Sequence, residues 1–360
     1  MKFGAVTIKD IARELGISAS AVSKALKDSY EISEKTKKLV LECAKKHNYQ
    51  PNLMARSLKQ GNSKALGIII PTIDNNFFSQ VIDGIESVAF SKGYNIIMTQ
   101  THESYDLELS NTDLLTVRSI DGLLISLSSG TKDISHLKKL HDQGLPIVFF
   151  DRVSSEIDTH KVIADNFKGA YEATTHLIKS GYKQIAHLTS SANVSITSER
   201  LKGYEQALEE NRMQVKEHYI KYCPQGGKDV EEVEQALNEL LDSPDKPDAI
   251  FTATDRVTTV TLALLHKMHI KIPGDIALIG FTNTQLANVL NPPLSQVFQP
   301  GFDMGKKATE MLIQLIESRR PVTEFETVVL PAQLFMRDST KHVWVENYLI
   351  LSSPLERGCG

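Results

Sequence analysis

The sequence predicts an α/β protein with an all-α segment at its N-terminus, and three observations carry that prediction. Residues 7–46 hold three short helical patterns, each opened by a capping residue, with a glycine between the first two. From Ala65 onward, apolar runs of strand length alternate with helical patterns in two successive series. Charge is unevenly placed. Residues 1–62 carry 12 Lys and Arg against 6 Asp and Glu, a net of +6; the whole chain is −4, so residues 63–360 carry −10.

Thr7 opens the first helix, and Asp10 three residues on completes a capping-box pattern. Ile8, Ile11, Ala12 and Leu15 then recur at helical spacing on one face, and Gly16 supplies a turn where left-handed backbone costs least. Ser18 caps a second helix from Ala19 to about Lys27, with Val22, Ala25 and Leu26 inward. Two short helices joined around a glycine make the geometry that presents the start of the second helix to base edges in DNA. A concentration of Lys and Arg on the same segment suits phosphate contact, which gives affinity without sequence information. Ser33 caps a third helix through about Lys46, with Leu39, Val40, Cys43 and Ala44 on its apolar side. Pro51 then opens a short segment to Lys59 that is too short to hold as an isolated helix and needs a partner for Leu53, Met54 and Leu58. Gln60-Gly61-Asn62-Ser63 reads as linker.

Beyond the linker, Ala65–Ile70 is a continuous apolar run ended by Pro71, the mark of a buried parallel strand. A helix from Phe78 to Lys92 follows, then strands at 95–98, 122–125 and 146–150. The rhythm resumes after Asp165, with a helix at 168–179, strands at 185–188, 249–252 and 276–280, and helices starting near Glu199 and Arg256. Two such series predict two doubly wound lobes, and about 280 residues suffice for two cores. Ligands in these sheets bind beyond the carboxyl ends of the strands, which places a site between facing lobes. The strand ends offer Asp74 to Phe78, Thr99, Gln100, Ser126, Ser128, Asp151 and Arg152 from the first series. The second offers Asp165, Asn166, Arg200, Asp255 and Thr282-Asn283-Thr284. That mixture of amides, hydroxyls and carboxylates suits a small polar or polyhydroxylated ligand.

The run from Thr7 through Ala55-Arg56-Ser57-Leu58-Lys59 to Leu66-Gly67-Ile68-Ile69-Ile70-Pro71 resembles the lactose/galactose-repressor (LacI/GalR) family of bacterial transcription regulators, and the likeness continues to about Thr340. The resemblance implies a helix-turn-helix DNA-binding domain followed by a two-lobed, periplasmic-binding-protein-like core of doubly wound parallel sheets. It implies a homodimer on double-stranded DNA at a pseudo-palindromic operator, most often a repressor, controlled by a sugar-like or other polar effector in the cleft. Residues 1–50 would form the DNA-binding domain, 51–64 a hinge helix and linker, and 65–340 the core. Lobe 1 is expected at about 65–163 and 295–322, and lobe 2 at about 164–294 and 323–340.

Matched position by position, the resemblance puts base reading on Ala19, Ser20 and Lys24, with Ser18, Ala21 and Ser23 at phosphate or framing positions. Ala19 offers a methyl to thymine, whereas Lys24 can donate to guanine O6 or N7. Lys27 departs from the asparagine of many members. Thr7, Asn52 and Ala55 complete the expected DNA contacts, with Leu58 at the intercalating position and Lys59 beside it. For the effector, the family pattern points to Asn75, Phe77, Phe78, Ser128, Asp151, Arg200 and Asp255. Thr282 stands where members commonly have a carboxylate, which removes a group that would accept two ligand hydroxyls.

Other chemistries find no support. No dinucleotide fingerprint, phosphate loop, zinc-protease motif or nucleophile elbow occurs, so no catalytic residue, cofactor or enzyme activity is expected. The three cysteines, Cys43, Cys223 and Cys359, have no metal-ligand spacing and suit a reducing cytoplasm. His187, in an apolar strand, reads as an interior residue. No apolar run approaches ~18 residues, and the basic N-terminus is unlike a signal peptide, which argues against a secreted solute-binding protein. Residues 341–360 hold apolar pieces around Trp344 and Tyr348 but no sustained heptad, and form a tail of unknown role, an extra edge strand or an appendix.

Overall fold

The computed structural model describes residues 6–49 and 63–341. The expected hinge helix at 51–59 and the tail beyond Lys341 lie outside the described residues. The chain divides into two units, Met1–Lys64 and Ala65–Gly360.

In the first unit, α1 (Ile8–Leu15), α2 (Ala19–Ala25) and α3 (Glu34–Lys46) enclose Ile11, Val22 and Val40, all with no exposed surface. The Asp10 carboxylate accepts from the Thr7 backbone N–H at 3.0 Å and from the Thr7 hydroxyl at 2.6 Å. The Thr7–Asp10 pair thus forms a capping box. Gly16 ends α1 at φ +64°, where any Cβ would be strained. The Ser18 hydroxyl accepts from Ala21 N–H at 3.1 Å and the Ser33 hydroxyl from Thr36 N–H at 3.3 Å. One helical assignment differs from expectation: Leu39 is 48% exposed, and Lys37 takes the inward place beside Val40, held by Asp28 and Glu34. Its aliphatic stem lies inward while its ammonium reaches those rim carboxylates.

The second unit carries two six-stranded sheets. The first lobe is built from β1 (Ala65–Ile70), β2 (Asn95–Gln100), β3 (Gly122–Ile125), β4 (Ile147–Phe150) and β5 (Lys161–Ala164), in order β5-β4-β3-β1-β2, all parallel. Every residue of β1 is buried, as expected of a central strand covered on both faces. Its covering helices include α4 (Asn76–Ser91), α5 (Tyr105–Val117) and α6 (Ser135–Asp142). The second lobe holds α7 (Asn166–Lys179), β6 (Ile185–Thr189), α8 (Ser195–Glu210), β7 (Ile220–Tyr222), α9 (Val230–Leu241), β8 (Ala249–Thr252), α10 (Asp255–Lys267) and β9 (Ala277–Phe281).

The remaining elements cross between lobes and correct the expected boundaries. β10 (Ser295–Phe298), expected in lobe 1, pairs parallel with β9 in lobe 2. α11 (Gly301–Glu317) then packs on lobe 1, burying Met304, Ala308 and Leu312 against Ile68, Val81 and Ile85. β11 (Thr327–Leu330), expected in lobe 2, adds to the lobe 1 sheet beside β5, and β12 (Gln333–Phe335) returns antiparallel to β10. These strands are three or four residues long, too short for their own pattern to name a sheet. α11 lies so close to α4 that a Cβ on Gly84 would fall 2.1 Å from the Phe302 carbonyl oxygen. The Asn75 side chain caps the start of α4, and its first turn faces the other lobe.

Candidate nucleic-acid interface and interlobe site

On the first unit, the start of α2 is an exposed polar surface. Ser18, Ala19, Ser20, Lys24 and Lys27 are exposed, and Ser23 is half-buried. The Ser18 oxygen accepts at the helix cap, which leaves its O–H to donate to a phosphate. Lys24 pairs with Glu31, both side chains being 46% exposed. An exposed pair of that kind is worth ~0–1 kcal/mol, so a phosphate or guanine can displace it cheaply. Thr7 is exposed at the opposite cap. Asn52, Ala55, Leu58 and Lys59 lie outside the described residues.

Between the lobes, polar contacts bridge the cleft, among them the Asn76 N–H donating to the Asp255 carboxylate. Arg256 Nη2 donates to Asp74 Oδ2 at 2.8 Å, Asn283 Nδ2 to Gln80 Oε1 at 2.7 Å, Val153 N–H to Ser195 Oγ at 3.3 Å, and Lys228 Nζ to the His102 carbonyl at 3.3 Å. Two cavities open along it. One, of about 330 Å³, takes Thr72, Asn75, Phe78 and Gln100 from lobe 1 and Gly226, Lys228 and Thr254 from lobe 2. The other, of about 470 Å³, takes Ser128, Thr131 and Val153 from lobe 1 and Asn193 and Ser195 from lobe 2. Arg152 lines both.

Three expected effector residues line these cavities. Asn75 caps α4, its Oδ1 accepting from Phe77 N–H at 2.8 Å and Phe78 N–H at 3.3 Å. Phe78 presents an edge to the smaller cavity. Ser128 lines the larger one, with its N–H held by Glu108 at 2.9 Å. Phe77 and Phe78 both belong to the lobe 1 core, edge-on to each other with ring centroids 5.2 Å apart, and Phe77 lines neither cavity.

The other four lie beneath the cleft surface. Asp151, at φ +59° and 3% exposed, accepts from the Ser126 hydroxyl at 3.5 Å. Burial pushes its carboxyl above the usual range, and the Arg152 and Arg200 guanidiniums oppose that rise. Arg200, 1% exposed, donates through Nε and Nη2 to Asn166 Oδ1 at 2.9 and 2.7 Å and through Nη1 to the Ala253 carbonyl. Its guanidinium lies 3.8 Å from the Phe281 ring centroid, and burial lowers it to about 10. The Asp255 carboxyl is likewise pushed up by burial, while the Thr282 hydroxyl and Asn283 N–H donate to it. Thr282 is therefore turned toward Asp255 and away from open space.

Arg152, a strand-end residue in the sequence, has a partner that no sequence pattern marks. Glu103, at φ +65° in the turn after β2, receives Arg152 Nη1 at 2.9 and 2.7 Å and the Ser129 N–H at 2.7 Å. Burial raises the Glu103 carboxyl, but Arg152 and Ser129 outweigh it and hold the group below its ordinary value. Glu108, wholly buried, accepts from Ser128 N–H and the Thr131 hydroxyl and lies 3.3 Å from His136 Nε2, so it shapes the 128–131 loop. A glutamate inside an amphipathic helix pattern gives no sign of such a role. His187 is interior, stacked between Tyr204 and Phe251, with Nδ1 donating to the Phe251 carbonyl at 3.1 Å; burial pulls it down to about 3. Among the described residues no helix is long and apolar enough to cross a membrane.

Comparison with known proteins gives a consistent result. Residues 7–52 match the model of bacterial regulatory proteins of the lacI family, and residues 63–337 that of periplasmic binding proteins and the sugar-binding domain of the LacI family. Catabolite control protein A of Priestia megaterium is 31% identical across 93% of this chain and 99% of its own. The HTH-type transcriptional repressor PurR of Vibrio vulnificus (strain CMCP6) is 30% identical across 94% and 99%. Among solved structures, the transcriptional regulator CelR in complex with cellobiose superposes with a TM-score of 0.68 at 25% identity, covering 93% of this chain and 99% of that one. The lac repressor dimer bound to operator and the anti-inducer ONPF shares the fold, with a TM-score of 0.77 at 22% identity over 94% and 99%.

Proposed function

This chain belongs to the LacI family of bacterial regulatory proteins, and from that premise we propose that it is a repressor binding a pseudo-palindromic operator as a homodimer. Its effector is a small neutral polyhydroxylated molecule, most simply a sugar, held between the lobes. The observation that carries this reading is the pairing, in one chain, of an exposed, capped α2 start with a separate two-lobed cleft whose lining mixes hydroxyls and amides with charged side chains such as Asp74, Arg152 and Lys228. Asn75, Phe78, Ser128 and Arg152 meet the ligand first. Asp151, Arg200, Asp255 and Thr282 form the floor on which it rests. On the DNA, Ala19, Ser20 and Lys24 read bases, while Ser18, Ser23 and Lys27 meet the backbone. Asn52, Ala55, Leu58 and Lys59 complete the DNA contacts, with Leu58 meeting the minor groove. The effector acts through its differential affinity for two dimer arrangements.

Selection of duplexes from a random pool by the full-length protein tests this. Enrichment of a two-fold symmetric site with a central pyrimidine–purine step is expected. Sugars added to the same assay should release or strengthen binding, and nucleobases should not. No enriched site, with or without metabolites from a cell extract, would overturn the reading.

A further inference from the structure

Three side chains of metal-ligating type stand together in the helix-turn-helix unit, where no spacing in the sequence suggests a site. Glu14, in the last turn of α1, faces Cys43 and His47 near the end of α3, and one donor atom from each lies within 4.8 Å of the others. Cys43 and His47 are four residues apart, so both point from one face of the helix. The thiol is 6% exposed and forms the floor, whereas the His47 and Glu14 side chains are 31% and 39% exposed and leave an entry from solvent. His47 Nε2 lies 2.6 Å from one Glu14 oxygen, and Lys46 Nζ lies 2.9 Å from the other.

We propose that Glu14, Cys43 and His47 bind a borderline divalent transition ion of the zinc class, joining α1 to α3. A sulfur, a nitrogen and an oxygen together favour such an ion over magnesium or calcium, which take oxygen ligands. A tetrahedral zinc, with Zn–S about 2.3 Å and Zn–N or Zn–O about 2.0–2.1 Å, sets donors about 3.3–3.6 Å apart. The farthest pair here therefore has to close by at most about 1.5 Å, within reach of the part-exposed Glu14 and His47 side chains. Binding forms the metal–sulfur bond as the Cys43 proton leaves to solvent, and water takes the fourth position. Thiolate and carboxylate then balance the dication, and Lys46, whose side chain is 68% exposed, turns into solvent. Because the ion holds only the folded pair of helices, it stabilises the unit that presents α2.

Cobalt(II) titration of the full-length, chelator-treated protein tests the proposal. One equivalent should give a thiolate-to-cobalt charge-transfer band with visible d–d bands of a tetrahedral site. Zinc should displace it, and magnesium should not. Cys43→Ala should abolish the charge-transfer band, and His47→Gln, at the exposed rim, should weaken binding at least tenfold. Lys46→Ala should tighten binding several-fold, because a competing cation is gone. Cys359→Ser should retain the full signal. No band, a band that survives Cys43→Ala and His47→Gln, or a band lost with Cys359→Ser would each overturn it.

Discussion

The Lys24–Glu31 pair on the helix-turn-helix surface and the Arg152–Glu103 pair in the cleft are the same chemistry in different media. The first pair has both side chains 46% exposed; the second has 13% and 18%. Water screens the first, so it contributes little to stability and leaves Lys24 available for exchange. The second is largely removed from water, shares one Arg152 nitrogen between both Glu103 oxygens and carries an extra N–H donor, so breaking it strands a charge. An exposed surface keeps its cation weakly committed, whereas the cleft wall keeps its cation bound.

The largest effect that could break this comparison is at Arg200. Arg200→Met should cost about 3 kcal/mol in urea unfolding of the core followed by far-UV circular dichroism, because Asn166 and Ala253 lose their donor and Asp151 a neighbouring cation. A loss below about 1 kcal/mol would show that the cleft floor is wetter than its burial implies. Next, Glu103→Gln should cost about 2–3 kcal/mol at neutral pH, less than for a fully buried pair because some water reaches it. The Glu103 carboxyl is held below its ordinary value in the folded chain, so its contribution is full above the ordinary carboxylate range and is lost as pH falls through the depressed folded value. The gap between variant and parent should therefore close in acid, and a gap that widened would contradict the assignment.

Smaller effects sharpen the other side. Ser18→Ala should cost about 1 kcal/mol in the melting of the N-terminal unit, the usual worth of a cap. Lys24→Ala should change stability by less than about 0.5 kcal/mol, yet cost about 1–3 kcal/mol in discrimination at one operator position. Glu31→Ala should leave stability equally unmoved and strengthen operator binding modestly, which band-shift titration at two salt concentrations would measure. If Glu31→Ala destabilised the unit by more than about 1 kcal/mol, Lys24 would be committed to the fold and not to DNA.

Much of the first unit was legible because its determinants are local. The Thr7–Asp10 and Ser18–Ala21 contacts span three residues, and Gly16 acts within its own turn. The central strands were legible for a related reason: Ala65–Ile70 and Ala249–Thr252 are covered on both faces, so each reads as an unbroken apolar run. The candidate cleft was legible by inventory but not by depth. Strand-end positions identify Asp151, Arg200 and Asp255, yet nothing in their neighbours says that Asp151 and Arg200 are buried and Asp255 already hydrogen-bonded, nor that Phe78 lines the cavity.

By itself, then, the sequence determined the capped helices, the alternation of two α/β series and the segregation of positive charge, because each arises from spacings of a few residues or from composition. Tertiary structure alone decided which sheet received β10 and β11, how Glu103 met Arg152 across 49 positions, and that Glu14 faces Cys43 and His47. Those outcomes depend on which surfaces meet once both cores have formed, and short edge strands and single charged side chains carry no periodic signal of their destination.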